Sequence, residues 1–503
     1  MSPSSLAGID VDAVIDAALD ATRQLDHCDV RIVATRTAYL TQRDHDPMAN
    51  VDQLALGVGV RVLDQGCWGF AGTADVSPEG AAKAATHASA MLRASRAAAT
   101  SRVELAPEPV HIGEWTSQFA VDPFDIPAAD RMSWLSAHCD NLLAAGPVHH
   151  ASGSVMAVRE QTAFGSSAGS RLKQTRVRLH AEITGIRVSD DGGFESLRTT
   201  APPTGRGWEY LTGGCEPVGP ARPWDWDAEL AELPGRLEQK AAAPSIEPGR
   251  YTLVVHPTNL WLTIHESVGH ATELDRVLGY EANYAGTSFV TTDGVGRLKY
   301  GSPHMNVTAD RVTPHGLATV GWDDEGVAAQ RWPLVSRGVL VGLQLDRAMA
   351  AASGQSRSNG CAYADSAIHT PIQRMPNVGL EPDPDGGLLE DLVGGVEDGI
   401  LIVGDGSWSI DMQRYNFQFT GQRFERIKAG RLVGQVKDVA YQGSTPGFWG
   451  SLVALGGPDS VLLGGAFNCG KGQPGQVAPV SHACPPAVFE NVNVLNSAAE
   501  GVS

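Results

Sequence analysis

The sequence predicts an α+β fold in two domains. Residues 1–235 form an N-terminal domain of antiparallel sheet covered by long helices, and residues 236–503 form a mostly-β, barrel-like C-terminal domain with one well-marked helix near its start. Three observations predict it. The chain of 503 residues is too long for one ordinary core. In the first half, stretches with apolar residues at helical spacing flank stretches in which polar and apolar residues alternate. The composition then changes after a proline-, glycine- and tryptophan-rich segment at 216–250, beyond which valine, glycine and turn signals dominate.

Taken in order, 10–25 places Val14, Ile15, Ala18, Leu19 and Leu25 at near-helical spacing and reads as an amphipathic opening helix. Residues 54–63 alternate small and branched side chains, and 66–73 read as a turn and a returning strand. The alanine-rich stretch 78–99 has few breakers and reads as a long helix that covers the sheet. Alternation resumes from 155 to 186, as expected for antiparallel hairpins with one wet face. One short charged helix lies inside the 216–250 segment, and strands dominate from Tyr251 onward.

Composition removes several function classes. With 42% hydrophobic residues and a mean hydropathy of -0.13, the chain reads as globular. The 57 acidic residues against 38 basic ones give a formal charge of -19, a field that repels phosphate backbones and anionic membranes. Neither nucleic acid nor membrane is expected as a partner. The seven cysteines are scattered and form no CxxC pair, which suits a reducing compartment. The start, Met1 to Leu6, lacks a basic region and a long apolar core, so a cytoplasmic location is expected.

The informative segment is YTLVVHPTNLWLTIHESVGHATELDR, residues 251–276. Its first six residues read as a buried strand, Pro257, Thr258 and Asn259 as a turn and N-cap, and Leu260, Trp261, Ile264 and Val268 as the apolar side of a helix. That helix carries His265, Glu266 and His270. Two imidazoles and a carboxylate within six residues suit a zinc hydrolase, which needs neutral nitrogen ligands, an open coordination position and a base beside it.

The spacing is unusual. In H-E-x-x-H the histidines lie about 40° apart around the helix, whereas the i, i+5 step of H-E-x-x-x-H separates them by roughly 140°. A local π bulge brings both rings to one face, and Gly269 makes such a distortion easier. By itself the hexapeptide also reads as ordinary helix residues whose histidines find local hydrogen bonds.

Further landmarks accompany it in order. They are Gly57–Val62 and Gly69-Phe70-Ala71 upstream, then Trp322-Asp323-Asp324-Glu325-Gly326, Arg374-Met375-Pro376-Asn377, and Asn468-Cys469-Gly470-Lys471-Gly472-Gln473. Together with His265–His270, Glu273 and Asp275, this pattern resembles the TldD/PmbA metallopeptidases, the family once described as modulators of DNA gyrase. The resemblance spans nearly the whole chain.

The resemblance implies one zinc ion held by His265, His270 and Cys469, with Glu266 as the general base toward the water that attacks the peptide carbonyl. A thiolate is a strong zinc ligand, the glycines at 470 and 472 allow close approach, and Lys471 favours the deprotonated thiol. Cys469 alone reads as a buried small hydrophobe. Cys484 is its rival but lacks the glycine-rich setting. Glu273 and Asp275 read first as exposed helix carboxylates, with orientation of an imidazole as the alternative. Asp323, Asp324 and Glu325 read as turn chemistry rather than a second metal. The histidines at 149, 150, 256, 304, 315, 369 and 482 are left out of the site as structural or exposed.

Because this chain keeps both histidines, the glutamate and the cysteine, it resembles the metal-bearing TldD type. A metal-free TldE/PmbA-like partner chain is then implied, as a heterodimer, with a homodimer as the alternative. The implied substrate is unfolded or short peptide, which could bind by adding a strand to a sheet edge. Two other readings stand beside it. One is a dedicated amide hydrolase acting on a small or peptide-derived biosynthetic intermediate, and the other is a non-catalytic partner subunit.

Overall fold

The structure is a computed structural model that describes residues 5–189, 192–472 and 474–500. Met1–Ser4, part of the start read above as lacking a basic leader, and Gln473 of the glycine-rich loop lie outside them.

The N-terminal half is built on a seven-stranded sheet. Its order is Cys67–Thr73, Asp46–Asp64, His27–Arg43, His150–Ser166, Arg171–Val188 and Ile112–Thr116, with Phe194–Arg198 also paired to Arg171–Val188. All pairs are antiparallel except that of Ile112–Thr116. Even-numbered residues of the strand His27–Arg43, such as Val30, Ile32, Ala38 and Leu40, enter two apolar clusters. The helices Val11–Asp20 and Pro78–Ser95 cover one end of that face, and Ala128–Leu143 and Trp226–Ala242 cover the other. The helix Ala128–Leu143 carries no strong sequence signal, because its buried set of Arg131, Leu135, Cys139 and Leu142 is a narrow stripe in a polar segment. Trp226–Ala242 spans the expected division at 235/236 and packs Leu233 and Leu237 with the N-terminal core.

The opposite face of this sheet is not wet, contrary to the expectation. It buries charges against the C-terminal half. Arg61 pairs with Asp29 at 2.7 Å and with Glu325 at 2.9 Å, and Arg31 pairs with Asp324 at 2.8 Å. Glu160 takes both Arg176 and Arg178, at 2.5 and 2.9 Å, and accepts the Tyr363 hydroxyl at 3.0 Å. Alternation therefore identified the strands correctly, but the polar positions meet a second protein layer rather than solvent. The turn at Asp323 is turn chemistry as expected: its carboxylate accepts the amides of Glu325 and Val327, each at 2.9 Å.

In the C-terminal half five strands close into a barrel. Going round, they are Gly249–Val255, Ala487–Asn496, Val439–Ser444, Asn416–Lys428 and Asp398–Ile410, which pairs back to Gly249–Val255 in parallel. Phe417, Phe419, Tyr441 and Phe489 fill it in one cluster with Leu260, Ile264 and Val268 of the following helix. Burial of this many aromatic and branched side chains anchors the helix to the barrel. Among the described residues, no helix is long and apolar enough to cross a membrane.

Candidate metal centre

The strand Gly249–Val255 runs directly into the helix Pro257–Ile264. The cap is His256, whose imidazole accepts the Thr258 amide at 3.2 Å, so the expected turn at 257–259 is already the first helical turn. Proline at the first helical position loses no hydrogen bond.

The expected distortion follows. Residues His265–Gly269 form a π turn, with the His270 amide donating to the His265 carbonyl, and a short 3-10 turn closes at Thr272. The two imidazoles thereby approach to 4.7 Å between ring centroids. Carbonyls displaced by the wider turn find side chains: Gln344 donates to Gly269 at 2.6 Å and the Tyr300 hydroxyl to Ser267 at 2.5 Å. Gly269 has helical dihedrals, φ -53° and ψ -61°, so backbone freedom is not its use. A Cβ there would lie 2.5 Å from Met375 Sδ; glycine makes room for Met375 behind the π turn.

His265, His270 and Cys469 are brought together from opposite ends of the C-terminal half. Their candidate ligand atoms all lie within 4.8 Å of one another. His265 Nδ1 lies 2.8 Å from His482 Nε2, and His482 Nδ1 lies 2.8 Å from the Val378 carbonyl. A carbonyl only accepts, so His482 donates from Nδ1. Burial holds His482 well below its ordinary pKa, so its neutral Nε2 accepts from His265 Nδ1 and leaves His265 Nε2 unprotonated toward the site. His270 Nδ1 donates to Glu273 Oε2 at 2.8 Å, which turns its Nε2 toward the site.

Glu273 and Asp275 are buried, not exposed. The Lys471 ammonium, 1% exposed, reaches Glu273 at 3.0 Å, Asp275 at 2.7 Å and the Gln373 carbonyl at 2.8 Å. Burial raises Glu273, but Lys471 and His270 outweigh it and hold the carboxyl well below its ordinary range. Lys471 thus serves Glu273 rather than the thiol.

Cys469 lies on the hairpin Leu462–Lys471 and Gln476–Cys484, just after a bulge between Ala466 and Cys469 that re-aims the strand. Its Sγ is 3.6 Å from His270 Nε2. Burial raises the thiol, yet His270 and Arg374 pull it below its ordinary value. Burial pushes its rival Cys484 up to about 12. The glycines beside Cys469 do not open the way to a metal: a Cβ at Gly470 would meet nothing, and Gly472 makes room for the Tyr284 ring.

The segment Arg374–Asn377 binds this cradle together. Arg374 donates to the Cys469 carbonyl, and Met375 fills the space beside Gly269. Asn377 Oδ1 accepts the Ser481 amide at 3.2 Å, next to His482.

The three side chains and Glu266 face a cavity of about 760 Å³. Glu266 is buried, and among the described residues its one ion pair is with Arg414 Nη1 at 3.5 Å. Burial raises its carboxyl, and the two imidazoles with Arg414 bring it below its ordinary value. Trp261 and Trp408 supply aromatic surface, and the strand Leu462–Lys471 runs along the wall. In its own two-stranded sheet that strand pairs only with Gln476–Cys484 among the described residues.

The family model for the PmbA/TldA metallopeptidase C-terminal domain matches residues 248–496, and that for PmbA/TldA metallopeptidase domain 1 matches residues 28–92. The chain belongs to the PmbA/TldD metallopeptidase family. Among PmbA/TldD relatives, a metalloprotease of Methanothermobacter thermautotrophicus is 27% identical over 97% of this chain and 99% of its own length. A zinc metalloprotease TldD homolog of Saccharolobus solfataricus is 23% identical over 44% of this chain and 47% of its own. TldE from Thermococcus kodakarensis shares the fold, with a TM-score of 0.72 at 15% identity over 96% of this chain and 99% of that one.

Two contributors to this PmbA/TldD centre escaped the sequence reading. His482 was set aside as isolated, yet it fixes the His265 ring. It shares parity with Cys484 on a hydrophobic strand, which offers no signal that separates it from a core histidine. Arg414 lies in a loop with φ 61°, a left-handed conformation unusual for arginine, and only the fold brings it to Glu266.

Proposed function

We propose that the chain is the metal-bearing, TldD-type subunit of a zinc-dependent peptidase, with His265, His270 and Cys469 as the metal ligands and Glu266 as the general base. The observation that carries this reading is the convergence of two imidazole nitrogens and one thiol within 4.8 Å of one another, beside an unconsumed carboxylate. The donor set fits zinc. Tetrahedral zinc with ordinary Zn–N and Zn–S lengths separates those donors by roughly 3.6 Å, and Cys469 Sγ and His270 Nε2 are 3.6 Å apart.

When bound, zinc supplies a Lewis acid that polarises the scissile carbonyl and lowers the pKa of a coordinated water. The chain supplies the rest. Glu266 holds the proton removed from the attacking water on its carboxylate and returns it to the leaving amine. Its burial strengthens this exchange, and Arg414 steadies the carboxylate without closing it into a short ion pair. His482 and Glu273 engage the ligand rings at Nδ1 and so present Nε2 to the metal. A peptide lying along Leu462–Lys471 would add a strand through main-chain bonds, which suits short or unfolded substrates of varied sequence. The expected assembly is a heterodimer with a TldE-like chain in the cytoplasm.

The test is zinc per chain and peptide hydrolysis for wild type, Glu266→Ala and Cys469→Ala, each with and without a TldE-like partner. Glu266→Ala keeps the metal and loses turnover, and Cys469→Ala loses metal. Hydrolysis by Glu266→Ala at the wild-type rate would overturn the assignment.

A further inference from the structure

A second cavity, of about 1070 Å³, lies between the two halves on the far side of the Lys471 cluster. The N-terminal half contributes an apolar wall, with Trp68, Phe70, Met91 and Val103. The C-terminal half contributes Met349 and Ile372, and a floor of carboxylates: Asp275, Glu281, Glu325 and Asp346. At the rim, Met91 and Tyr280 are exposed, at 55% and 61%. Its volume lies at the top of the range usual for small-molecule sites, and its mixture of apolar surface with few polar groups is what such sites need.

The charges there do not cancel. Arg61, the buried cation of this wall, is already divided between Asp29 and Glu325 and stacks on Trp68 at 4.5 Å. Asp275 has Lys471, and Glu281 has Arg276 at 3.6 Å. Asp346 has no cation. It is 8% exposed, its Oδ1 accepts the Met349 amide at 2.7 Å as a helix cap, and it makes no ion pair among the described residues. Burial, with Glu325 beside it, pushes its carboxyl up to about 7. A second buried group in the lining, Gln373, 1% exposed, has an unpaired Nε2, a donor that suits an acceptor atom on the body of an occupant. Uncompensated buried polar groups cost stability, and a carboxylate facing a cavity is a ready acceptor for a cation. Among the described residues the ligand cluster tight enough for a metal is His265, His270 and Cys469, so these carboxylates suit a dispersed organic cation better than a metal ion.

We propose that this cavity is a second binding site, for an organic ammonium ion with an apolar body, its nitrogen at Asp346 and its body against Trp68, Phe70 and Met349. The site is wired to the metal centre. Asp275 in its floor holds Lys471, Lys471 holds Glu273, and Glu273 holds His270.

The test is fluorescence titration of the full chain with dansylcadaverine, a primary ammonium on an alkyl chain ending in an apolar ring system, against neutral dansylamide. Dansylcadaverine binds saturably and about tenfold or more tighter than dansylamide, the size of one charge-assisted hydrogen bond. Asp346→Asn, which keeps the helix cap, removes that difference and leaves dansylamide unchanged. Ala352→Trp, at the exposed rim, abolishes binding of both probes, while Asp405→Asn, at a carboxylate that lines the 760 Å³ cavity beside His265 and His270, changes neither. Thermal melts confirm that the variants fold. Absence of saturable binding, equal affinity for the two probes, or loss in Asp405→Asn instead of Asp346→Asn and Ala352→Trp would each overturn the proposal.

Discussion

His265 Nδ1 and His482 Nε2 stand 2.8 Å apart, and the hydrogen between them belongs to His265, because His482 has given its own to the Val378 carbonyl. The tautomer of one ring is thus set by a backbone oxygen two hydrogen bonds away. His482→Ala should lower zinc affinity by about 10- to 100-fold, the usual cost of losing such an outer partner. Competition with a chelating dye measures it. His482→Gln, which keeps an acceptor, should recover part of the loss; unchanged affinity in both variants would remove His482 from the centre.

Gly269→Ala should destabilise the fold by about 1–3 kcal/mol, as overpacking does. The added Cβ meets Met375 Sδ at 2.5 Å. Urea denaturation reads the change, and the same substitution in a Met375→Ala background should cost much less. Equal costs in both backgrounds would mean that the π turn itself demands glycine.

Lys471→Met leaves Glu273 and Asp275 buried without their ammonium. Removing one partner of a buried ionic cluster costs about 3–5 kcal/mol. Adding Asp275→Asn should restore part of it, and a double-mutant cycle by urea denaturation gives the coupling. Strict additivity would show that the two side chains do not act together.

Acid should loosen the buried charged layer of the N-terminal sheet through Glu160. Burial raises this carboxyl, but Arg176 and Arg178 more than reverse it and leave it at about 2, against an ordinary 4.5. The folded value is depressed, so the stabilisation is fully present above about 4.5 and is lost as pH falls toward about 2. Its size is on the order of 3 kcal/mol. Stability measured by urea across that window should fall more steeply in wild type than in Glu160→Gln; parallel curves would assign the acid response elsewhere.

Much of this architecture was legible in the chain. The strand at 54–63, the hairpin at 155–186 and the helix from Pro78 declared themselves by alternation and by alanine content, because those signals are local. The distorted helix at Gly269 was also legible, since an i, i+5 pair cannot share a face of a regular turn. What stayed hidden depends on distant partners. Glu273 and Asp275 look like solvent-facing helix residues until Lys471 arrives from nearly 200 positions later. His482 is indistinguishable from any strand histidine until the hairpin folds over the helix. The polar face of the N-terminal sheet looked wet because nothing local announces that Asp324 and Glu325 will cover it.

That covered face also bears on how such a chain can be divided. Asp324 and Glu325 belong to the half that holds the proposed metal ligands, but Arg31 and Arg61, which they neutralise, belong to the other. Cutting the chain in the 216–250 segment would give two pieces with mutually orphaned charges on surfaces shaped for each other. The halves are therefore not interchangeable modules, and a graft of either onto another protein would need to bring its counter-charges with it.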